Sequence, residues 1–411
     1  MQEISDEPCN FTSDKDYFTN FTGTKINYST PAIAPGEFHI LPVALLSEKT
    51  ISQQQIVMTE KSGRPFFFGT EGDFHFDIFA AGFYLLSRYE EYLPHKKDMY
   101  GRFAHEGSLA WKQGFLKIPL LDLWLADLAS ALAKYFPGFL LKKKIFSFLP
   151  TYDIDEPYAY RHKPWWRIAA GALLGKNQGV SIKERWSFAN GKKQDPYDAY
   201  RWMDDLHRQF NLSPWYFFLV AEKLGKYDKN ISPANPGYVT LLKQHAEKYS
   251  TGIHPSWRTG DVEGLLQKEI KLLENICGKN IKASRQHYIR FTLPGDYRRL
   301  IAAGITKDFS MGYGSINGFR ASVSRPFFWY DLEKEEKTSL EIFPFCFMDS
   351  NAFFEQSFTP QQAWQELMEM YAQIKSTGGM MITIFHNPFL GSMKRFEGWK
   401  EVYLQFIKAI V

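Results

Sequence analysis

Apolar and polar positions alternate along this chain in two different rhythms, and the change of rhythm divides it. After about residue 144, short apolar runs predict buried strands at Ile145 to Tyr152, Trp215 to Val220, Ser250 to His254, Lys282 to Phe291, Thr306 to Met311, Leu340 to Met348 and Met380 to Phe385. Between them lie helical patterns. Apolar side chains recur at helical spacing at Ala199, Trp202, Met203, Leu206 and Phe210, at Leu266, Ile270, Leu273 and Cys277, and at Trp364, Leu367, Met368, Tyr371 and Ile374. Strand and helix in alternation predict an α/β fold on a parallel sheet, because parallel strands need crossover connections. This many units in one stretch of chain can close into a barrel.

The preceding part is less regular. One helix is expected around Phe76 to Leu93 and another from Leu121 to Tyr135, the second stopped by Pro137-Gly138. That pair and the run Lys142-Lys143-Lys144 mark the expected boundary, giving a smaller α+β accessory domain over 1–140 and the main domain over 145–411.

Composition narrows the class. The 411 residues suffice for two or three domains, and 45% hydrophobic with 23% charged residues describes a globular chain. A net charge of +4, evenly spread, does not announce a nucleic-acid partner. Cys9, Cys277 and Cys346 are odd in number and far apart, so neither a disulfide framework nor a cysteine zinc site is expected. Met1 to Lys15 is polar and acidic, no window carries the roughly 18 apolar residues of a membrane span, and a cytoplasmic setting is the expectation. Asn-x-Ser/Thr triplets such as Asn10 and Asn211 therefore carry little weight.

In open or closed α/β sheets the chemistry collects at the C-terminal ends of the strands. The polar residues there are Asp153 and Asp155, His254 with Ser256, Arg285 and His287, Asp308, Asp349 and His386. Nearly all are metal ligands or acid/base groups. In an extended strand i and i+2 share a face, so Asp153 and Asp155 would stand side by side, a pair suited to metal-assisted hydrolysis. The plain alternative is that Asp153 caps a loop and Asp155 faces water. His162, His207 and His245 fall in helical or loop context and are expected to be solvated.

Residues 145–411 resemble the polysaccharide deacetylase (NodB-homology) superfamily of carbohydrate esterases. Thr151-Tyr152-Asp153-Ile154-Asp155 is similar to its first motif in the Asp-x-Asp form. Gly252-Ile253-His254-Pro255-Ser256 is similar to the second, although Arg258 stands where a second His usually follows. Ser284-Arg285-Gln286-His287, Lys307-Asp308-Phe309-Ser310 with Gly318-Phe319-Arg320-Ala321, and Thr383-Ile384-Phe385-His386-Asn387 resemble the remaining three. The resemblance implies a distorted (β/α)7-type barrel and hydrolysis of an N-acetyl group from a carbohydrate or glycoconjugate. By the same likeness Asp153 is the base, His386 the acid, Arg285 and Asp308 supporting catalytic groups, and Asp155 with His254 ligands of a divalent cation, zinc by preference. His287 is the expected third ligand if it shares a face with Arg285; Ser256 and Thr259 are weaker candidates, because hydroxyls hold zinc poorly. Phe76-Asp77-Ile78-Phe79-Ala80-Ala81 and Ser87-Arg88-Tyr89-Glu90-Glu91-Tyr92 resemble the extension found in a bacterial subgroup of that superfamily, expected to pack on the barrel or shape its cleft. A carbohydrate-binding relative without chemistry, or a hydrolase of another small amide, are the other readings.

Overall fold

The computed structural model describes residues 3–5, 8–168 and 180–411, so the acidic stretch Met1 to Lys15 falls partly outside the described residues. The chain folds as a mixed α/β protein on one large sheet. Its strands are β1 (Ser147–Ile154), β2 (Trp215–Phe218), β3 (Ser250–Ile253), β4 (Ala283–Ser284), β5 (Lys307–Asp308), β6 (Phe327–Asp331), β7 (Glu336–Ile342), β8 (Phe347–Met348) and β9 (Met380–His386). Hydrogen bonding gives the order β6-β7-β5-β4-β3-β2-β1-β9-β8, parallel throughout except for the β6–β7 hairpin at one edge.

The predicted strand Leu340 to Met348 is divided, and the division brings the two ends of the sheet together. β7 pairs with β5, whereas β8 pairs with β9 on the opposite flank. Between them the backbone changes partner residue by residue. Phe343 N–H donates to Asp308 O (2.8 Å) and Phe345 N–H to Met311 O (3.1 Å), and then Cys346 N–H donates to Ile382 O (3.1 Å). A chain advances at most about 3.6 Å per residue, so a link this short holds the flanks close. The sheet is thereby rolled around an interior packed with aromatic rings. Phe309 stacks on Phe343 at 4.6 Å and meets Phe217 at 5.0 Å. Gly252 is required opposite Phe217, since a Cβ there would meet that ring at 2.4 Å and the Ala283 carbonyl at 2.9 Å.

Two expected elements are shorter than their hydrophobic patterns. The helix expected over Phe76 to Leu93 is Ile78–Leu86, capped by Asp77, whose Oδ1 accepts the N–H groups of Phe79 and Ala80. It stops because Arg88 takes a left-handed conformation (φ 55°) and turns its guanidinium inward to Glu90 and Glu91. The second is the strand Lys282 to Phe291, reduced to Ala283–Ser284. Tyr288 and Ile289 both have positive φ, 59° and 53°, which no extended strand allows. The helix Leu120–Tyr135 forms nearly as expected.

Residues before 141 do not stand apart from the sheet. Their apolar side chains, among them Phe67, Tyr84, Trp124 and Leu128, join the same buried cluster as those of the strands. Buried charges also bridge the two parts: Glu91 accepts from Arg320 (2.8 and 2.5 Å) and from Arg88 (2.8 Å), and its carboxyl is held down to about 2, burial being outweighed by the two guanidinium groups. Asp122 accepts from Ser324 and Arg325. His207 and His245, expected to be solvated, are buried. They serve the core, His207 bonding the Tyr152 hydroxyl (2.8 Å) and His245 the Leu241 carbonyl (2.9 Å). Burial pushes both imidazoles down to about 4. No helix of the described residues is long and apolar enough to cross a membrane.

Candidate active site

The register of β1 and β9 sets Asp153 beside His386 at the C-terminal end of the sheet. Asp155 follows one residue past the end of β1, and His254 one past the end of β3. Asp153 is buried, and its Oδ1 accepts from Arg285 Nη1 at 2.7 Å. The guanidinium of Arg285 lies 4.4 Å from the Phe217 ring and gives its Nε–H to the Phe309 carbonyl (3.0 Å). Burial pulls Arg285 down from its ordinary value, and the Asp153 carboxylate opposes that effect. A buried cation and a buried anion thus face each other across one short hydrogen bond in an apolar interior.

Asp155, His254 and His287 form a second group whose ligand atoms lie within 4.8 Å of one another. Asp155 Oδ1 is 3.1 Å from His254 Nε2, and Oδ2 is 3.5 Å from His287 Nε2. The far nitrogen of each imidazole is tied. His254 Nδ1 bonds the Arg285 carbonyl at 2.6 Å, and His287 Nδ1 bonds Asp228 Oδ1 at 3.1 Å. With Nδ1 as the donor, Nε2 is the nitrogen that faces inward and, once free of a proton, offers the lone pair, the arrangement that orients metal-bound histidines. Asp155 Oδ1 is itself buried without a hydrogen-bond donor, and such an atom is explained by a cation. Two imidazoles and a carboxylate, with room for a further ligand, make a donor set that zinc takes in hydrolytic sites. The titration behaviour has the same origin. Burial would raise Asp155 and lower His287, yet their mutual attraction holds Asp155 well below the carboxylate range and lifts His287 to about 9. The carboxylate therefore calls for positive charge at the point where a cation would sit.

Across from this group stands His386. Burial alone would lower it, but Asp349 takes its Nδ1–H at 2.6 Å and lifts the imidazole to about 10. The other Asp349 oxygen accepts the His386 backbone N–H at 2.6 Å. His386 Nε2 faces the cleft, 3.8 Å from Asp155 Oδ2. These groups lie at the floor of a cavity of about 490 Å³ whose walls include Tyr100 and Arg102 from the N-terminal part, with Tyr288, Phe354 and Arg395.

The structure brings Asp153, Asp155, His254, Arg285, His287 and His386 together, and leaves others aside. His287 lies two residues after Arg285, with extended backbone at Gln286 between them (φ −69°, ψ 127°), beyond the short strand β4 and before the turn at Tyr288. Asp308 does not reach the cleft: its carboxylate accepts Ser310 N–H and Oγ–H (both 2.9 Å), and burial pushes it up to about 6. The partner of His386 is Asp349 instead, a strand-end residue whose role the motif does not announce. Ser256 and Thr259 turn away, Ser256 to Glu269 (2.5 Å) and Thr259 to the Ser256 carbonyl (2.8 Å), so neither is a ligand. Asp228 escapes sequence reasoning, because it sits ten residues beyond β2 in a loop without periodicity. Arg102 carries no signal either. Asp98 and the Tyr288 carbonyl fix its guanidinium at the cavity wall (2.6 and 2.7 Å).

Residues 1–137 match a family profile described as a family of unknown function (DUF7033). No curated protein matches the chain. Among solved structures it is similar to a Mycobacterium smegmatis protein classed as a polysaccharide deacetylase, at 13% identity over 66% of this chain and 85% of that one, with a TM-score of 0.43. It is also similar to the polysaccharide deacetylase Bc1974 from Bacillus cereus (12% identity, 65% and 88% covered, TM-score 0.30). A GH57 branching enzyme from Thermococcus kodakaraensis matches at 11% identity, with 66% and 68% covered and a TM-score of 0.36. At these identities and scores the likeness assigns no activity to the chain.

Proposed function

We propose that this protein is a divalent-metal-dependent hydrolase that removes an N-acetyl group from a carbohydrate or glycoconjugate, on a distorted (β/α)7 barrel over 145–411 preceded by an accessory unit over 1–140. One observation carries the reading: a carboxylate pinned by Arg285, a three-ligand cation cradle and an imidazole pinned by Asp349 converge on one cavity floor. The order of these residues along the chain, in motifs that resemble those of the deacetylases, supports an acetamide as the group cleaved.

Asp155, His254 and His287 would hold the cation, which when bound supplies Lewis-acid polarisation of an acyl oxygen and acidifies a water. Asp153 accepts the proton of the attacking water. Arg285 holds that carboxylate in place by the hydrogen bond from Nη1, so the base needs no reorganisation when the proton arrives. His386 donates a proton from Nε2 to the departing amine nitrogen. It holds that proton at neutral pH because Asp349 stabilises the imidazolium. Acetate and a free amino sugar are the products.

Metal content and turnover of a chitooligosaccharide test the reading together. Near one equivalent of zinc in the wild type, lost in Asp155→Ala, His254→Ala and His287→Ala but kept in an inactive Asp153→Asn, is the expected pattern. Unchanged deacetylation in all of these variants would refute the site. Absence of metal after reconstitution would leave a glycan-binding relative without chemistry.

A further inference from the structure

The cavity above the hydrolytic centre has walls that the chemistry described so far does not use, and one of them comes from the N-terminal part of the chain. Lys97 and Phe103 pair in a short antiparallel bridge, and the turn between them places Tyr100 and Arg102 in the cavity wall. Asp98 braces this turn. Its Oδ1 accepts the N–H groups of Tyr100 and Arg102 (2.8 and 3.0 Å), and Gly101 takes the positive φ (79°) that the reversal needs. Arg102 is only 4% exposed. Its Nε–H goes to Asp98 Oδ2 (2.6 Å), one Nη1–H goes to the Tyr288 carbonyl (2.7 Å), and the Tyr100 ring lies 4.8 Å from the guanidinium. Nη2 has no hydrogen-bond partner among the described residues. Gly314, on the same wall, leaves space for this group: a Cβ there would collide with Arg102 Nη1 and stand 2.8 Å from the Tyr288 carbonyl.

Two more cations line the same cavity from other stretches of chain. Lys229 follows Asp228 in the loop beyond β2, and Arg395 lies beyond β9 with its guanidinium 4.9, 5.1 and 5.5 Å from the Phe354, Phe396 and Phe353 rings. Neither has a carboxylate partner among the described residues. The acids on these walls do not balance them. Glu156 is taken by Lys163 (2.6 Å), and Asp153 and Asp155 belong to the hydrolytic centre, which leaves Glu355 against Lys229 and Arg395. A buried guanidinium donor is repaid fully only by an ionised oxygen, so a neutral sugar hydroxyl is a poor match for Nη2. A carboxylate satisfies one cation, whereas a phosphate carries up to two charges and accepts donors from several directions. We propose that the cavity selects a substrate bearing a phosphate, with Arg102 as the residue that reads it. The substrate is then a phosphorylated N-acetylated sugar. That last step rests on the deacetylase reading, whereas the phosphate site does not.

Calorimetric titration of the full-length protein with N-acetylglucosamine 1-phosphate, N-acetylglucosamine and N-acetylmuramic acid tests the site, and acetate release from each is followed in parallel. Zinc-loaded and chelator-treated protein are both titrated, because a phosphate can also ligate zinc. The phosphate sugar should bind at least about tenfold more tightly than the neutral one, with or without metal, and added salt should weaken it. Arg102→Met should remove most of that preference while retaining zinc and the circular dichroism spectrum. Lys229→Gln/Arg395→Gln, on exposed side chains that leave the braced turn intact, should lower phosphate-sugar affinity at least about threefold. Equal affinity for the phosphate and neutral sugars overturns the proposal, as does a preference that survives Arg102→Met or exists only with metal bound. Tighter binding of the carboxylate sugar than of the phosphate overturns the choice of phosphate. If the phosphate sugar binds as expected but no acetate is released from any of the three, the phosphate site stands and the deacetylase reading falls. Acetate release with equal kcat/KM from phosphate and neutral sugars, unaltered in Arg102→Met, upholds the deacetylase reading and overturns the phosphate site.

Discussion

Replacing Arg285 by Met tests the central pairing of the site through stability rather than turnover. Arg285 is fully buried, and Asp153 beside it is nearly so, with 2.7 Å between Nη1 and Oδ1. Met has a comparable length, and the Phe217, Phe309 and Phe345 rings within 6.0 Å of the guanidinium would receive it without a polar clash. The loss is therefore electrostatic. Stranding one partner of a buried ion pair costs about 3–5 kcal/mol. The Phe309 carbonyl also loses its Nε–H donor, worth roughly 1–3 kcal/mol if left unmet. Urea denaturation of metal-free protein should register at least about 3 kcal/mol of destabilisation for Arg285→Met. The double variant Arg285→Met/Asp153→Asn removes both charges, so only the carbonyl penalty remains. It should recover about 2 kcal/mol or more relative to the single variant, a coupling that a double-mutant cycle reads directly. Metal stoichiometry should survive, because the contact of Arg285 with His254 is made by its backbone carbonyl. A loss under about 1 kcal/mol, or a double variant no better than the single, would show that the pair does not hold Asp153 in place.

Other consequences are open to measurement. Asp228→Asn should weaken zinc binding about 10- to 100-fold without abolishing it, since Asp228 orients His287 and does not ligate; competition with a chelator reads the change, and an unaltered affinity would count against the cradle. Metal uptake should release protons at pH 7 to 8, because His287, lifted to about 9, is protonated in the metal-free protein and must lose that proton to bind. Apparent affinity should accordingly climb with pH up to about 9, and calorimetry in two buffers of different ionisation enthalpy counts the protons. His207 and His245 make the opposite kind of contribution. Their folded values of about 4 lie below the unfolded 6.5, so the stability they confer is present above 6.5 and lost as pH falls through 4. At about 1.4 kcal/mol per pH unit, the gap from 6.5 to about 4 comes to roughly 3–4 kcal/mol for each. Denaturant midpoints of His207→Gln and His245→Gln should flatten between those pH values, and an unchanged acid slope would refute the assignment.

What the sequence could reveal follows from which interactions are local. The alternation of apolar runs with helical spacing belongs to the chain itself, because each strand must bury its own side chains and each crossover helix its own face. It yields the α/β class, the C-terminal strand ends where chemistry collects, and with them Asp153, Asp155, His254 and His386. The motif Lys282 to Phe291 shows where that reasoning stops. Its apolar pattern reads as a long strand, yet the ladder ends at Ser284 and the chain turns at Tyr288 and Ile289, whose positive φ no extended strand allows. Partners distant in sequence were decided by the tertiary structure alone. Asp349 rather than Asp308 reaches His386, Asp228 reaches His287 across 59 residues, and Arg102 from the N-terminal part enters the cavity wall. His207 and His245 look like solvated helix residues until the packing of neighbouring elements closes over them. A strand or helix is written in its own few residues, whereas the pairing of two buried charges depends on which surfaces meet, and only the folded chain fixes that.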